Sequence, residues 1–265
     1  MIDGAVLDID GTVARGRKAL PGALEALAEL RARGVRYAFF TNDNQSPVAR
    51  WVDKLAAMGI DAAPGEVVTS ALVAAEAVAE LHPGRPVLAV GNVGLTEALQ
   101  AKGIDLVGWE EADRAEVVVM GKDPAFDQGR LEIVCRAIWG GAEFVATNAD
   151  PKVPVAEGFA PGTGPMIEAV AYATGVAPLV TGKPSPWAGR MAARILGATP
   201  RRTVVVGDQL ATDIAMGKAA GMRTVLVLTG SSTQADAEAA DDTHRPDVVA
   251  ASIAELPAVI DSWSR

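Results

Sequence analysis

Short apolar runs of strand length alternate with segments of helical period along almost all of this 265-residue chain, and that alternation restricts the fold most. The runs "AVLDI", "YAFFT", "PVLAV", "EVVVM", "EFVAT", "PLVTG", "TVVVGD" and "RTVLVLTG" suit strands buried on both faces. Between them, "PGALEALAELRARG", "SPVARWVDKLAAMG", "GPMIEAVAYATG", "PWAGRMAARILG" and "ATDIAMGKAAG" have helical spacing. Several of these end in glycine, which suits a left-handed helix C-cap. The pattern predicts an α/β protein with a Rossmann-like parallel sheet and helices on both faces.

In sheets of this kind, ligands bind beyond the carboxyl ends of the strands. Polar residues gather at those ends here. "AVLDIDGT" delivers Asp8 and Asp10, and "YAFFTNDN" delivers Thr41 and Asn42. "PLVTGKPSP" delivers Lys183, and "TVVVGDQLATD" delivers Asp208 and Asp213. Each group alone has an ordinary reading: a turn dipeptide, a helix cap, a solvated lysine, an aspartate in a first helical turn. Their recurrence at successive strand ends points to a site. Asp8 and Asp10 lie two residues apart, so an extended chain sends both carboxylates to one side. Like charges so placed need a positive partner.

Other machinery is scarce. The chain has two histidines, His82 and His244, both in turn-like contexts, and one cysteine, Cys135, within a helical pattern that suits core packing. A Gly-x-Ser-x-Gly elbow and a Gly-x-x-x-x-Gly-Lys loop are both missing, and "GNVG" lacks the full dinucleotide fingerprint. Lys plus Arg number 24 against 33 for Asp plus Glu, a net charge of −9. That balance argues against nucleic-acid or anionic-membrane partners. With neither a leader pattern nor a long apolar span, the expected location is cytoplasmic. The carboxylates must carry the chemistry.

The constellation "DIDGT", "FFTN", "GKPSP" and "GDQLATD" resembles the four-motif signature of the haloacid dehalogenase-like (HAD) phosphohydrolases, and the likeness spans nearly the whole chain. The gap from Asp10 to Thr41 holds only a helix and a strand, whereas that from Asn42 to Lys183 holds a full α/β cap. A large cap there is similar to class IIA of the superfamily, the NagD and p-nitrophenyl phosphatase-like branch. The expected division is residues 1–74 and 178–265 as catalytic core, with 75–177 as an inserted α/β cap that chooses the substrate. One departure is visible: the branch usually shows Thr-Asn-Asn-Ser, and this chain has "TNDNQ", which brings the charge of Asp43 near the phosphate pocket.

The resemblance implies hydrolysis of a small phosphorylated metabolite through an aspartyl-phosphate. Asp8 would attack phosphorus and Asp10 would serve as acid and then base. Gly11 would let the chain turn so that backbone amides face the phosphate. Thr41 and Asn42 would donate hydrogen bonds to its oxygens, and Lys183 would supply fixed positive charge. Four aspartates and a phosphate outweigh one lysine, so a divalent cation is required, and all-oxygen ligands indicate Mg2+. The resemblance implies coordination by the Asp8 carboxylate, the Asp10 backbone carbonyl and Asp208, with Asp213 as a metal-water or lysine partner. In the cap, the loop "NADPKVPVAEG" is expected to face the site, with Asn148, Asp150 and Lys152 on the leaving group and Val153 as an apolar wall. Phosphoryl transfer, a mutase reaction and a non-catalytic binding role on the same scaffold stay open, as does a homodimer.

Overall fold

Gly4, Ala5, Val6 and Leu7 are all buried in strand β1 (Gly4–Asp8), which is covered on both faces as its unbroken apolar run requires. The computed structural model describes residues 2–155 and 158–263. After β1 come β2 (Ala14–Arg15), β3 (Lys18–Ala19), β4 (Arg36–Thr41) and β5 (Val67–Thr69). The middle of the chain adds β6 (Val87–Val90), β7 (Leu106–Val107), β8 (Val117–Met120) and β9 (Glu143–Ala146). Then follow β10 (Lys152–Val155), β11 (Gly158–Pro161), β12 (Leu179–Val180), β13 (Thr203–Gly207), β14 (Arg223–Val227) and β15 (Val248–Ala250).

The chain divides into two units. The first comprises residues 1–41, 48–68 and 183–265, and the second comprises 42–47 and 69–182. The first unit holds a six-stranded sheet in the order β15-β14-β13-β1-β4-β5. Within it β1 runs parallel to both β4 and β13, and β14 runs parallel to both β13 and β15. The strand order therefore reverses at β1, since the chain builds outward to β4 and later returns to add β13 on the other side. Such a reversal opens a crevice at the carboxyl ends of the two central strands. Leu7, Phe39, Val204 and Val206 from the sheet pack with Leu30, Leu55 and Ile60 in one core. A small antiparallel ribbon, β2–β3, follows the first motif.

The second unit holds a five-stranded sheet in the order β12-β9-β8-β6-β7, every neighbouring pair parallel. It also carries the antiparallel hairpin β10–β11, in which Val153 faces Ala160. Cys135 is buried in the helix Gln128–Trp139, as its helical context predicts. The second unit extends a few residues beyond the expected cap limits of 75 and 177 on either side. The helix Ser70–Leu81 sets Ala71, Ala74 and Val78 against Val87, Leu95, Val117 and Val145 of the second unit, so this unit starts before that helix. At the other end β12 pairs with β9, which carries the boundary to Gly182. Among the described residues, no helix is long and apolar enough to cross a membrane.

Leu7 lies at the centre of the first sheet and is wholly buried. Leu7→Ala should cost about 2–5 kcal/mol, transfer and cavity terms together. Urea unfolding followed by tryptophan fluorescence measures this, and a loss under about 1 kcal/mol would contradict a close-packed β1.

Candidate active site

Strand β1 ends at Asp8, and β13 ends one residue before Asp208. The chain then makes a wide helical turn, Leu210–Ile214, that carries Asp213 back towards the strand end. Lys183 precedes the helix Pro186–Leu196, whose start is fixed by Ser185 as N-cap, its Oγ accepting from Ala188 N–H, and by Pro186 in the first turn. These elements bring Lys183 Nζ to 2.6 Å from Asp8 Oδ1, 2.6 Å from Asp213 Oδ1 and 3.2 Å from the Phe40 carbonyl oxygen. The lysine side chain is 4% exposed, Asp213 1% and Asp8 12%, so little water screens the cluster. Asp213 Oδ2 accepts from Gln209 N–H at 3.2 Å, which leaves Oδ1 on the lysine.

Asp208 is held from another side. Its Oδ2 accepts from Ser231 N–H at 2.6 Å, and its main-chain oxygen accepts from Ser232 N–H at 3.0 Å. Among the described residues no donor reaches Asp208 Oδ1, which is buried. Two glycines allow this closeness: a Cβ at Gly11 would fall 2.7 Å from the Asp208 carboxyl carbon, and one at Gly230 would fall 1.9 Å from Oδ2. Gly11 also has φ +97°, a conformation that favours glycine. Asp8, Asp208 and Asp213 each bring one carboxylate oxygen within 4.8 Å of the others, the spacing of a cation site.

The electrostatics follow from the count of charges. Burial pushes the Asp8 carboxyl well above the usual carboxylate range; Lys183 opposes this, while Asp213 and Asp208 reinforce it. Burial and the Asp213 charge push Asp208 up to about 6. Burial works against the Lys183 charge, but Asp213 and Asp8 outweigh it and hold the ammonium protonated beyond its ordinary range. One cation therefore leaves three carboxylates undercompensated.

The Gly11 N–H donates to the Ala14 oxygen at 2.8 Å, closing the turn into β2. Its oxygen accepts from Thr229 Oγ1 at 2.6 Å. Asp10 is the exposed member, 47% accessible, with Lys54 Nζ at 3.8 Å. Thr41 is the buried last residue of β4.

The residue after Thr41 belongs to the second unit. Asn42 Nδ2 donates to Asp150 Oδ1 at 3.1 Å, and Asn148 Nδ2 donates to Asp150 Oδ2 at 2.8 Å. Asn148 Oδ1 accepts from Asn44 Nδ2 at 2.8 Å, so both polar ends of this buried side chain are engaged internally. That differs from the expected contact of Asn148 with a leaving group. Lys152 is exposed, its Nζ 4.3 Å from the centre of the Phe159 ring, and Val153 is half-buried. The expected loop also includes residues 156 and 157, which lie outside the described residues.

Sequence reasoning missed Lys54, Asn44, Thr229, Gly230 and Ser231. The last three carried a usable signal, because "LVLTGSS" places small polar residues at the carboxyl end of β14, beside β13. Lys54 and Asn44 carry none, since a lone helix lysine and a loop asparagine are ordinary surface residues.

Comparison with known proteins gives the same picture. Residues 5–105 match the family model described as haloacid dehalogenase-like hydrolase, and residues 180–256 match a second, HAD-hydrolase-like model. A 5'-nucleotidase of Bacillus subtilis, YutF, is 33% identical over 92% of this chain and 93% of its own length. An acid sugar phosphatase of Staphylococcus aureus is 36% identical over 88% of this chain and 89% of its own. Among solved structures, a glycerol phosphate phosphatase of Mycobacterium tuberculosis in complex with magnesium superposes with a TM-score of 0.90 at 36% identity, covering 96% of this chain and 76% of that one. With a second α/β unit inserted between the ends of β4 and β13, the chain belongs to the haloacid dehalogenase-like hydrolase family, in its class IIA branch.

Proposed function

We propose that this protein is a magnesium-dependent phosphatase of small organic phosphate monoesters. The observation that carries the reading is the clustering of the Asp8, Asp208 and Asp213 carboxylates, with one lysine paired to Asp8 and Asp213 and with Asp208 Oδ1 left without a donor among the described residues. A buried carboxylate oxygen in that state costs free energy unless a cation meets it. The donor set is all oxygen, which suits magnesium. The Asp8 and Asp208 carboxylates and the Asp10 carbonyl would hold the ion, and when bound it would supply positive charge beside the phosphoryl oxygens. The names of the relatives support the substrate class: a 5'-nucleotidase, an acid sugar phosphatase and a glycerol phosphate phosphatase all act on small esters.

The residues then divide the work. Asp8 attacks phosphorus, so an Asp8 O–P bond forms as the ester O–P bond breaks. Asp10, the accessible carboxyl, gives its proton to the leaving oxygen. It next takes a proton from water, which attacks phosphorus and breaks the Asp8 O–P bond. Lys183 neutralises charge gathering on Asp8 and the phosphoryl group, and Asp213 keeps it aimed there. Thr41 and Asn42 donate to phosphoryl oxygens. Gly11 contributes the turn and the close approach of Asp208. The second unit supplies selectivity through Lys152 and Val153 on its hairpin. Transfer to an alcohol uses the same intermediate, and product analysis with a competing acceptor separates it from hydrolysis.

Asp8→Asn keeps the shape but removes the attacking charge. Turnover of a chromogenic phosphate should fall at least ~10³-fold, about 4 kcal/mol of barrier. Retention of a tenth of the activity in clean protein would remove Asp8 from that role.

The metal reading is tested without turnover. The folded Asp208 carboxyl is raised to about 6 from 3.8, so its contribution is most favourable below about pH 4 and is lost as pH rises towards 6. Asp208→Asn should therefore stabilise the chelator-treated protein at pH 7.5, by about 1–2 kcal/mol, and the gain should vanish near pH 4. Added magnesium should reverse the order, raising the thermal midpoint of the wild type and not of the variant. A wild-type midpoint indifferent to magnesium would contradict the site.

Lys152→Ala should lower kcat/KM for substrates with an anionic leaving group relative to neutral ones by roughly fivefold, about 1 kcal/mol. An unchanged ratio would return Lys152 to the surface.

A further inference from the structure

The orientation of Asn42 is set by a chain of hydrogen bonds that begins at a backbone amide. Lys122 N–H, which can only donate, donates to Asn44 Oδ1 at 2.7 Å. This turns the Asn44 carboxamide so that Nδ2 faces Asn148 Oδ1 at 2.8 Å and Thr163 Oγ1 at 3.2 Å. Asn148 Oδ1 also accepts from Thr147 Oγ1 at 3.0 Å, so the amide must present Nδ2 to Asp150 Oδ2, 2.8 Å away. Asp150 Oδ1 then accepts from Asn42 Nδ2.

The relay has a built seat. Asn44 and Asn148 are each 2% exposed, so water does not compete for their bonds. A Cβ at Gly121 would come within 2.7 Å of Asn44 Oδ1, and one at Gly94 within 2.7 Å of the Gln45 carbonyl carbon. The Gly94 N–H donates to the Gln45 oxygen at 2.9 Å, which fastens the same segment along its backbone.

A carboxamide is planar and carries two N–H groups on one nitrogen, so fixing one on Asp150 fixes the direction of the other. We propose that Asn44, Asn148 and Asp150 are positioning residues that aim the Asn42 carboxamide, so that a phosphate group meets a donor already oriented. This rests on the reading of Asn42 as a phosphate ligand. Only a carboxylate suits position 150. It faces an amide nitrogen on each oxygen, and an asparagine there would turn a donor towards one of them. Asn148 and Asp150 thereby serve the phosphoryl end of the substrate rather than its leaving group.

The test uses inorganic phosphate as a competitive inhibitor of the full-length enzyme. Asp150→Asn should raise its inhibition constant and the substrate KM about tenfold, as expected for one charged hydrogen bond, with kcat within about threefold of wild type. In an Asn42→Ala background the same change should add less than about twofold, because its target is gone. Should Asp150→Asn fail to fold, judged by its thermal midpoint, Asn148→Ser removes the donor behind Asp150 and should give the same coupled pattern at about threefold. Equal effects in both backgrounds, or none in the wild-type background, would overturn the relay. Asn42→Ala alone reports on the parent reading: an unchanged phosphate constant in that single variant would refute the phosphate role of Asn42, and the relay with it.

Discussion

Lys183 buries its ammonium between Asp8 and Asp213, 2.6 Å from each, and the rest of the first unit's site answers to that pairing. The two partners are 175 and 30 positions away in sequence, so no local propensity can assemble them. Sheet order does it, by setting β13 against β1 and holding the register from Gly4 opposite Thr203 to Leu7 opposite Val206. Loss of the lysine would leave two carboxylates of the cluster without their cation, which costs about 3–5 kcal/mol. The pairing is also incomplete by design. One ammonium serves two carboxylates while Asp208, engaged through Ser231, adds a third, and burial, reinforced by the neighbouring carboxylates, raises the affinity of the Asp8 and Asp208 carboxyls for protons. What competes with those protons is a metal ion, so the force that burdens the fold also selects the cofactor.

The sheet strands and the four motifs were legible because each leaves a long or specific trace. "AVLDI" and "TVVVGD" are continuous apolar runs, and a carboxylate at the end of such a run has no packing reason to be there. Most of the short elements were not legible. β2, β3 and β7 have two residues each, too few for a period to develop, and β5 and β15 have three. The limits of the second unit are hard to read from sequence for a related reason. The helix Ser70–Leu81 is apolar and alanine-rich, and its sequence does not say which sheet its Ala71, Ala74 and Val78 will meet. Ser231 and Gly230 were overlooked since small residues at a strand end read as a turn unless the neighbouring strand is known.

Asp43 has a local structural role that its charge does not announce in sequence. Its Oδ1 accepts from Gln45 N–H at 2.9 Å, so the carboxylate closes a short turn on its own backbone. Asparagine offers an oxygen in the same place, which makes aspartate and asparagine interchangeable for that turn. The neighbouring Asn44 is the opposite case. It carries no charge and resembles any loop residue in sequence, yet it ties the ends of three elements together through Lys122, Asn148 and Thr163.

Both units place polar groups at the carboxyl ends of parallel strands, but with different chemistry, and the difference follows from what each end must satisfy. The first unit presents aspartates and a lysine, groups whose charge is costly to bury and worthwhile only where charge develops during a reaction. The second presents Lys122 N–H after β8, Asn148 and Asp150 after β9 and Gly182 after β12, a mainly uncharged set with one carboxylate that meets the backbone and side chains of residues 42–47. A loop seated in a protein interior brings unpaired N–H and C=O groups, and carboxamides match both kinds without adding charge. The chain passes between the units at four peptide bonds, Thr41–Asn42, Pro47–Val48, Val68–Thr69 and Gly182–Lys183. An error of orientation at Asn44 therefore has a covalent route to Thr41 that is only three residues long. The carboxamide network must be as well determined as the lysine–aspartate cluster, and the fixed donor at Lys122 N–H supplies that determination.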